Sequence, residues 1–231
     1  MNKITTLILD AGGVLVHPVH GDWNIPVAYR EYLGEHADDI PGEAWLAACR
    51  KAAPIIREDV HIADMKEEHI LRLQFLRSLA KDLGWNISRD AMAALAHDFT
   101  YNVSRYAWYP DVMDFLPRFH GKYRMGMLSD AMPSFRHVMD EHPAHACFDA
   151  IVISTALGTA KPDPAMYLEV CSRLGAAPEE CLFVDDREIN LRGAMACGLQ
   201  AVQMCRDGLP RWDGPAVRDL AELNAYLEGS K

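Results

Sequence analysis

The chain has 231 residues, 50% of them hydrophobic and 24% charged, a make-up that suits a soluble globular protein with one domain and a large insertion, or two small domains. Lys plus Arg number 23 against 33 Asp plus Glu, and the formal charge of −10 excludes a global electrostatic grip on nucleic acid or on an anionic membrane surface. The N-terminal apolar run is far shorter than a secretory core with its cleavage site and no stretch approaches a membrane span, so a cytoplasmic location is expected. The six cysteines show no CxxC spacing and lie mostly in apolar segments, so buried free thiols are expected.

In chain order, the first element is a buried strand over residues 4–9, which ends at Asp10 and the glycines Gly12 and Gly13. Residues 16–105 then run for about ninety positions without a convincing buried strand, too long for a connection, and are expected to form an inserted helical domain. Its clearest helix starts at Asp64, with Glu67 as a capping-box partner and Leu73, Leu76, Leu79, Ala80 and Leu83 as a packing stripe before Gly84. A weaker helical pattern covers 89–99 after Ser88, and another covers 37–57. The cluster 108–110 marks the return from this insert.

Beyond it, strands are expected at 124–128, 151–153, 181–184 and 200–204. Helices alternate with them: one over 112–120 between Asp111 and Gly121, and one opened by Asp163-Pro164 and closed by Gly175. This alternation implies an α/β doubly wound parallel sheet, whose ligands bind beyond the carboxyl ends of the strands.

Four segments place polar groups at such ends: Asp10 with Gly12, Ser129-Asp130, Lys161-Pro162 and Asp185-Asp186. Singly, each reads as a strand end, a helix cap or a loop lysine. In this order and spacing they resemble the haloacid dehalogenase superfamily over the whole length, with a Rossmann-like core at 1–15 and 106–231 and a helical cap at 16–105. The resemblance implies Asp10 as nucleophile, Ser129 and Lys161 as phosphate-holding groups, and a magnesium site from Asp10, the Gly12 carbonyl, Asp186 and Asp185, the last directly or through water. It implies a phosphatase of small phosphorylated metabolites that forms an aspartyl phosphate. The chemistry is coherent, because an aspartate can approach a phosphate ester only if a hard dication and an ammonium offset the charge. No nucleic-acid or membrane partner is expected, and the oligomeric state is open.

One position departs from the family pattern. Its phosphatases usually carry a second aspartate two residues after the nucleophile, to move the leaving-group proton, and here that position is Gly12. Alternatives therefore stay open: a 2-haloacid dehalogenase, against which Asp185-Asp186 argues; a phosphonate-cleaving relative using Lys51, Lys66 or Lys81; or a degenerate phospho-ligand-binding protein. His17, His20, Asp22 and Trp23 are candidates for the entrance to the site.

Overall fold

The computed structural model describes residues 3–229. The first strand, β1 (Thr6–Leu9), is buried throughout. A short ribbon strand β2 (Val16–Pro18) follows, then helices α1 (Tyr29–Leu33), α2 (Glu43–Ala52), α3 (Met65–Leu83) and α4 (Arg89–Tyr101), and the ribbon's second strand β3 (Tyr106–Trp108). The remainder alternates: α5 (Val112–His120), β4 (Arg124–Ser129), α6 (Ser134–Glu141), β5 (Ala150–Ile153), α7 (Ser154–Leu157), α8 (Pro164–Leu174), β6 (Cys181–Asp185), α9 (Glu188–Ala196), β7 (Gln200–Met204), β8 (Ala216–Val217) and α10 (Leu220–Gly229).

Among the described residues the main sheet has six strands in the order β5-β4-β1-β6-β7-β8, every recorded pairing parallel. Alternate residues of each strand face opposite ways. Leu7, Leu9, Met125, Met127, Leu182 and Val184 pack under α5, α6 and α10, while Ile8, Leu128 and Phe183 pack against α8 and α9. The register decides where the site forms. Leu9 stands opposite Met127 on one side and Val184 on the other, so the residues that follow β1, β4 and β6 emerge together at one edge. β1 is central, and the chain runs from it to β4 on one flank and to β6 on the other, which makes this edge the topological switch point where α/β sheets bind ligands.

Helices α1 to α4 enclose a separate apolar cluster that includes Tyr29, Trp45, Phe75, Leu79 and Phe99. The Asp64 carboxylate accepts from the amides of Lys66 and Glu67, and Gly84 closes α3 in the left-handed region. Glu67 reaches back one residue further than a capping box requires, to the amide of Ala63. Within 37–57 the α-helical expectation holds only for Glu43–Ala52, flanked by 3-10 segments at Gly34–Asp39 and Ala53–Ile55, because Pro41 and Gly42 interrupt the run. The chain leaves the sheet for the helical region and returns from it side by side: Val16 pairs with Trp108 and Pro18 with Tyr106, antiparallel.

Asp111 departs from its expected role. Its side chain does not cap α5; Oδ2 instead accepts from Arg206 at 2.7 Å and from the Leu220 amide at 2.9 Å, tying the start of α10 to the sheet. No helix of the described residues is long and apolar enough to cross a membrane.

Candidate active site

The backbone beyond β1 turns at once. Asp10 donates its amide to the Val184 carbonyl at 2.9 Å, continuing the strand pairing by one residue, and the amides of Leu15 and Val16 then fold back on Ala11. Gly13 has φ of 72°, and a Cβ there would lie 2.7 Å from Asp186 Oδ2, so the first loop can pass the Asp186 carboxylate only with glycine at this position. Gly12 differs: its φ is ordinary, and the space a side chain would enter is bounded by the Trp23 ring, 3.4 Å from an added Cβ.

Lys161 is the hub. Its ammonium lies 2.8 Å from Asp10 Oδ1 and 2.7 Å from Asp185 Oδ2, and all three side chains are buried. Burial opposes the charge on Lys161, but the two carboxylates overcome it and hold its pKa above the ordinary lysine value. The lysine amide is fixed by Asp130 Oδ1 at 2.9 Å. Asp130 therefore joins two loops and caps no helix of its own. Gly193 of α9 lets that helix approach the Lys161-Pro162 turn, since a Cβ there would sit 2.7 Å from the Pro162 ring and 2.8 Å from Tyr167 Oη.

The two adjacent acids after β6 divide their work. Asp185 is buried and saturated: besides Lys161 it accepts from the Arg187 amide at 2.8 Å and from Asn190 Nδ2 at 3.1 Å to each oxygen. Asp186 is half-buried and lines the cleft, while Gln203 holds its backbone carbonyl at 2.9 Å. One oxygen each from Asp10, Asp185 and Asp186 lies within 4.8 Å of the others. Negative charge is thus in excess at this point. Burial pushes the Asp10 carboxyl well up, with Lys161 opposing and Asp185 and Asp186 adding to it. Burial and the neighbouring Asp185 push Asp186 up to about 6. Three converging carboxylates with one ammonium suit a hard divalent cation with oxygen ligands.

These groups form the floor of a cleft of about 900 Å³ between the sheet edge and the helical region. Ser129, at the end of β4, is buried and faces it. From the expected entrance set, His17, Asp22 and Trp23 line the cleft, whereas His20 turns away to the Val27 carbonyl and the Tyr29 ring. Lys51, Lys66 and Lys81 are exposed and none lines it; Lys51 pairs with Asp82 at 2.6 Å. The helical side also contributes groups that sequence reading did not single out: Glu58, Arg72 and Arg105. Arg105, whose guanidinium binds the Phe99 carbonyl at 2.6 Å, and Arg72 both lie over the Phe99 ring.

The model of the haloacid dehalogenase-like hydrolases matches residues 4–198. The chain belongs to that family. It is 31% identical over 163 residues to Phosphatase MT3486 of Mycobacterium tuberculosis, covering 68% of this chain and 71% of that protein. Among solved structures it is similar to a 2-haloacid dehalogenase from Pseudomonas syringae, at a TM-score of 0.67 and 19% identity, with 99% of this chain and 100% of that one covered. It is likewise similar to a HAD phosphatase from Thermococcus onnurineus, at 0.66 and 16%, with 98% and 99% covered. At these identities the structural likenesses establish the fold, and the phosphatases and dehalogenases that share it leave the substrate class of this hydrolase to its own residues.

Proposed function

We propose that this hydrolase is a magnesium-dependent phosphatase of small phosphorylated metabolites, with Asp10 as nucleophile and residues 16–105 as the cap over its site. The observation that carries the reading is the pairing of a lysine-bridged acid pair, Asp10 and Asp185, with a third, cleft-facing acid, Asp186. Displacement of halide from a chloro acid needs no metal, whereas a phosphate ester needs a cation to offset its charge before an aspartate can attack, and the third acid completes the donor set for that cation.

In this mechanism Asp10, Asp186 and the Gly12 carbonyl would hold the cation, with Asp185, whose oxygens already serve Lys161 and Asn190, contributing directly or through water. The cation supplies charge neutralisation at the phosphoryl oxygens when bound. Lys161 orients one Asp10 oxygen and leaves the other free to attack, while the Ser129 hydroxyl donates to a phosphoryl oxygen. Attack forms the Asp10–phosphorus bond, breaks the ester bond and gives an aspartyl phosphate, which water hydrolyses. The test is release of inorganic phosphate from a panel of phosphorylated metabolites, with magnesium or with chelator, beside Asp10→Asn. Turnover that requires the metal and Asp10 supports the reading, and chelator-indifferent halide release from a chloro acid would replace it with the dehalogenase.

A further inference from the structure

Gly12 leaves the leaving group without a proton source on the floor of the site. In-line displacement sends the leaving oxygen away from Asp10, toward the helical side of the cleft. Three of the residues within 16–105 that line the cleft carry a carboxylate or an imidazole: His17, Asp22 and Glu58. Asp22 is committed, accepting from the Asn24 amide at 2.8 Å, Asn24 Nδ2 at 3.1 Å and Trp45 Nε1 at 2.9 Å. His17 is turned to the Pro18 carbonyl at 3.3 Å and packs on the Tyr109 ring.

Glu58 makes no side-chain hydrogen bond or ion pair among the described residues and opens into the cleft. Its position is built rather than incidental. The loop that carries it is pinned to the sheet domain where the Ile62 amide meets the Thr155 carbonyl at 3.1 Å, and where His61 packs 3.3 Å from the place of a Cβ on Gly158. Thr155 and Gly158 belong to the segment that leads directly into Lys161.

We propose that Glu58, reaching over from the helical region, is the proton carrier of this hydrolase in place of a side chain at position 12. The proposal rests on the phosphatase reading above. In the first step the protonated Glu58 carboxyl gives its proton to the ester oxygen as the bond from that oxygen to phosphorus breaks and the Asp10–phosphorus bond forms. In the second step the Glu58 carboxylate takes a proton from the water that attacks phosphorus. The Asp10–phosphorus bond then breaks, phosphate leaves, and both residues return to their starting forms.

The surroundings of Glu58 suit both roles. Its side chain is exposed along the cleft, and the partial desolvation there, with repulsion from Asp130, pushes its carboxyl up to about 7 against the opposing pull of Arg72, Lys161 and Arg105. A group that titrates near the working pH spends comparable time in each protonation state, as a carrier must.

The experiment measures kcat/KM against pH for an alkyl and an aryl phosphate, in the wild type, Glu58→Gln and Glu58→Asp. The expected result is a loss of roughly 10²–10⁴-fold on the alkyl ester in Glu58→Gln, a much smaller loss on the aryl ester, whose leaving group needs no proton, and partial recovery in Glu58→Asp. The wild-type alkyl profile should fall as pH rises through the Glu58 titration, and that limb should vanish in Glu58→Gln. An active wild type whose alkyl rate and profile are untouched by Glu58→Gln overturns this inference alone, as does an equal loss on both esters with the limb retained. A wild type inactive on every phosphate overturns the phosphatase reading and this inference together. Should Glu58→Gln fail to fold, the wild type decides: a limb on the alkyl ester that is absent on the aryl ester supports the carrier, and identical profiles overturn it.

Discussion

The Lys161 ammonium lies 2.8 Å from an oxygen of Asp10, buried with it and shared with Asp185 on its far side. One cation thereby stabilises two carboxylates that would otherwise repel one another. Lys161→Met should abolish turnover and also weaken the fold, because removing one partner of a buried ion pair costs about 3–5 kcal/mol. The loss should be larger at pH 8 than at pH 5, since the abandoned acids can take up protons at the lower pH. Urea unfolding at both values measures it, and equal losses would contradict the account.

The cation site makes a second prediction through pH. Asp186 binds its proton more tightly in the folded protein, at about 6 against the ordinary 3.8. The folded state therefore holds protons that the unfolded state releases, and the Asp186 contribution to metal-free stability declines as pH rises from about 3.8 through about 6. Magnesium should reverse the decline, adding about 2.7 kcal/mol at a hundred times its Kd. Thermal melts with and without magnesium across this range check the sign, and Asp186→Asn should flatten both the pH and the magnesium effects.

How far the sequence foretold this arrangement depends on the distance over which each signal acts. The strand ends at Asp10, Ser129 and Asp185, and the caps at Asp64, Ser88 and Asp163, were legible because period, capping and turn chemistry act within a few residues. Strand register then brought the chemical groups to one edge without further information. Long-range partnerships carried no such local mark. Nothing local sets Glu68 apart from the other charges of α3, yet it is fully buried and accepts from the Ser134 amide at 2.7 Å and Ser134 Oγ at 2.8 Å, locking α3 onto α6. Asp111 reads as a helix cap, and tertiary packing turned it to other elements, while Asp130, open in the sequence between a cap and a support for the site, takes the second role by fixing the Lys161 amide. Glu58 sits in an irregular loop with no periodicity to read, so only the fold reveals that it faces the cleft.

The Glu68 lock gives a third prediction. Glu68→Ala strands buried Arg72, which pairs with Glu68 at 3.3 Å, together with the Ser134 amide. A loss of about 3–5 kcal/mol is expected from the broken buried pair. Glu68→Gln should cost less, because an amide oxygen can still accept from Ser134. Denaturant midpoints of the two variants separate the charge from the hydrogen bonds.

Position 12 tests the role of Trp23. An ordinary φ and a 3.4 Å contact mean that Gly12→Asp fits its Cβ, but its carboxylate must push the indole ring aside. Gly12→Asp alone should therefore change the alkyl phosphate rate little, and Gly12→Asp combined with Trp23→Ala should exceed the sum of the two single effects. A double-mutant cycle in kcat/KM reads this coupling, which is expected to be favourable by about 0.5–3 kcal/mol. Additive effects would show that Trp23 does not fill the space a side chain at position 12 needs.

The central claim is covalent attack by Asp10. Its most direct test is acid quenching of the magnesium-loaded enzyme during turnover of an aryl phosphate, followed by mass analysis of the peptide containing Asp10. A phosphoryl adduct on Asp10 in the wild type, with neither adduct nor turnover in Asp10→Asn, is the predicted result. Wild-type turnover in Asp10→Asn would contradict it.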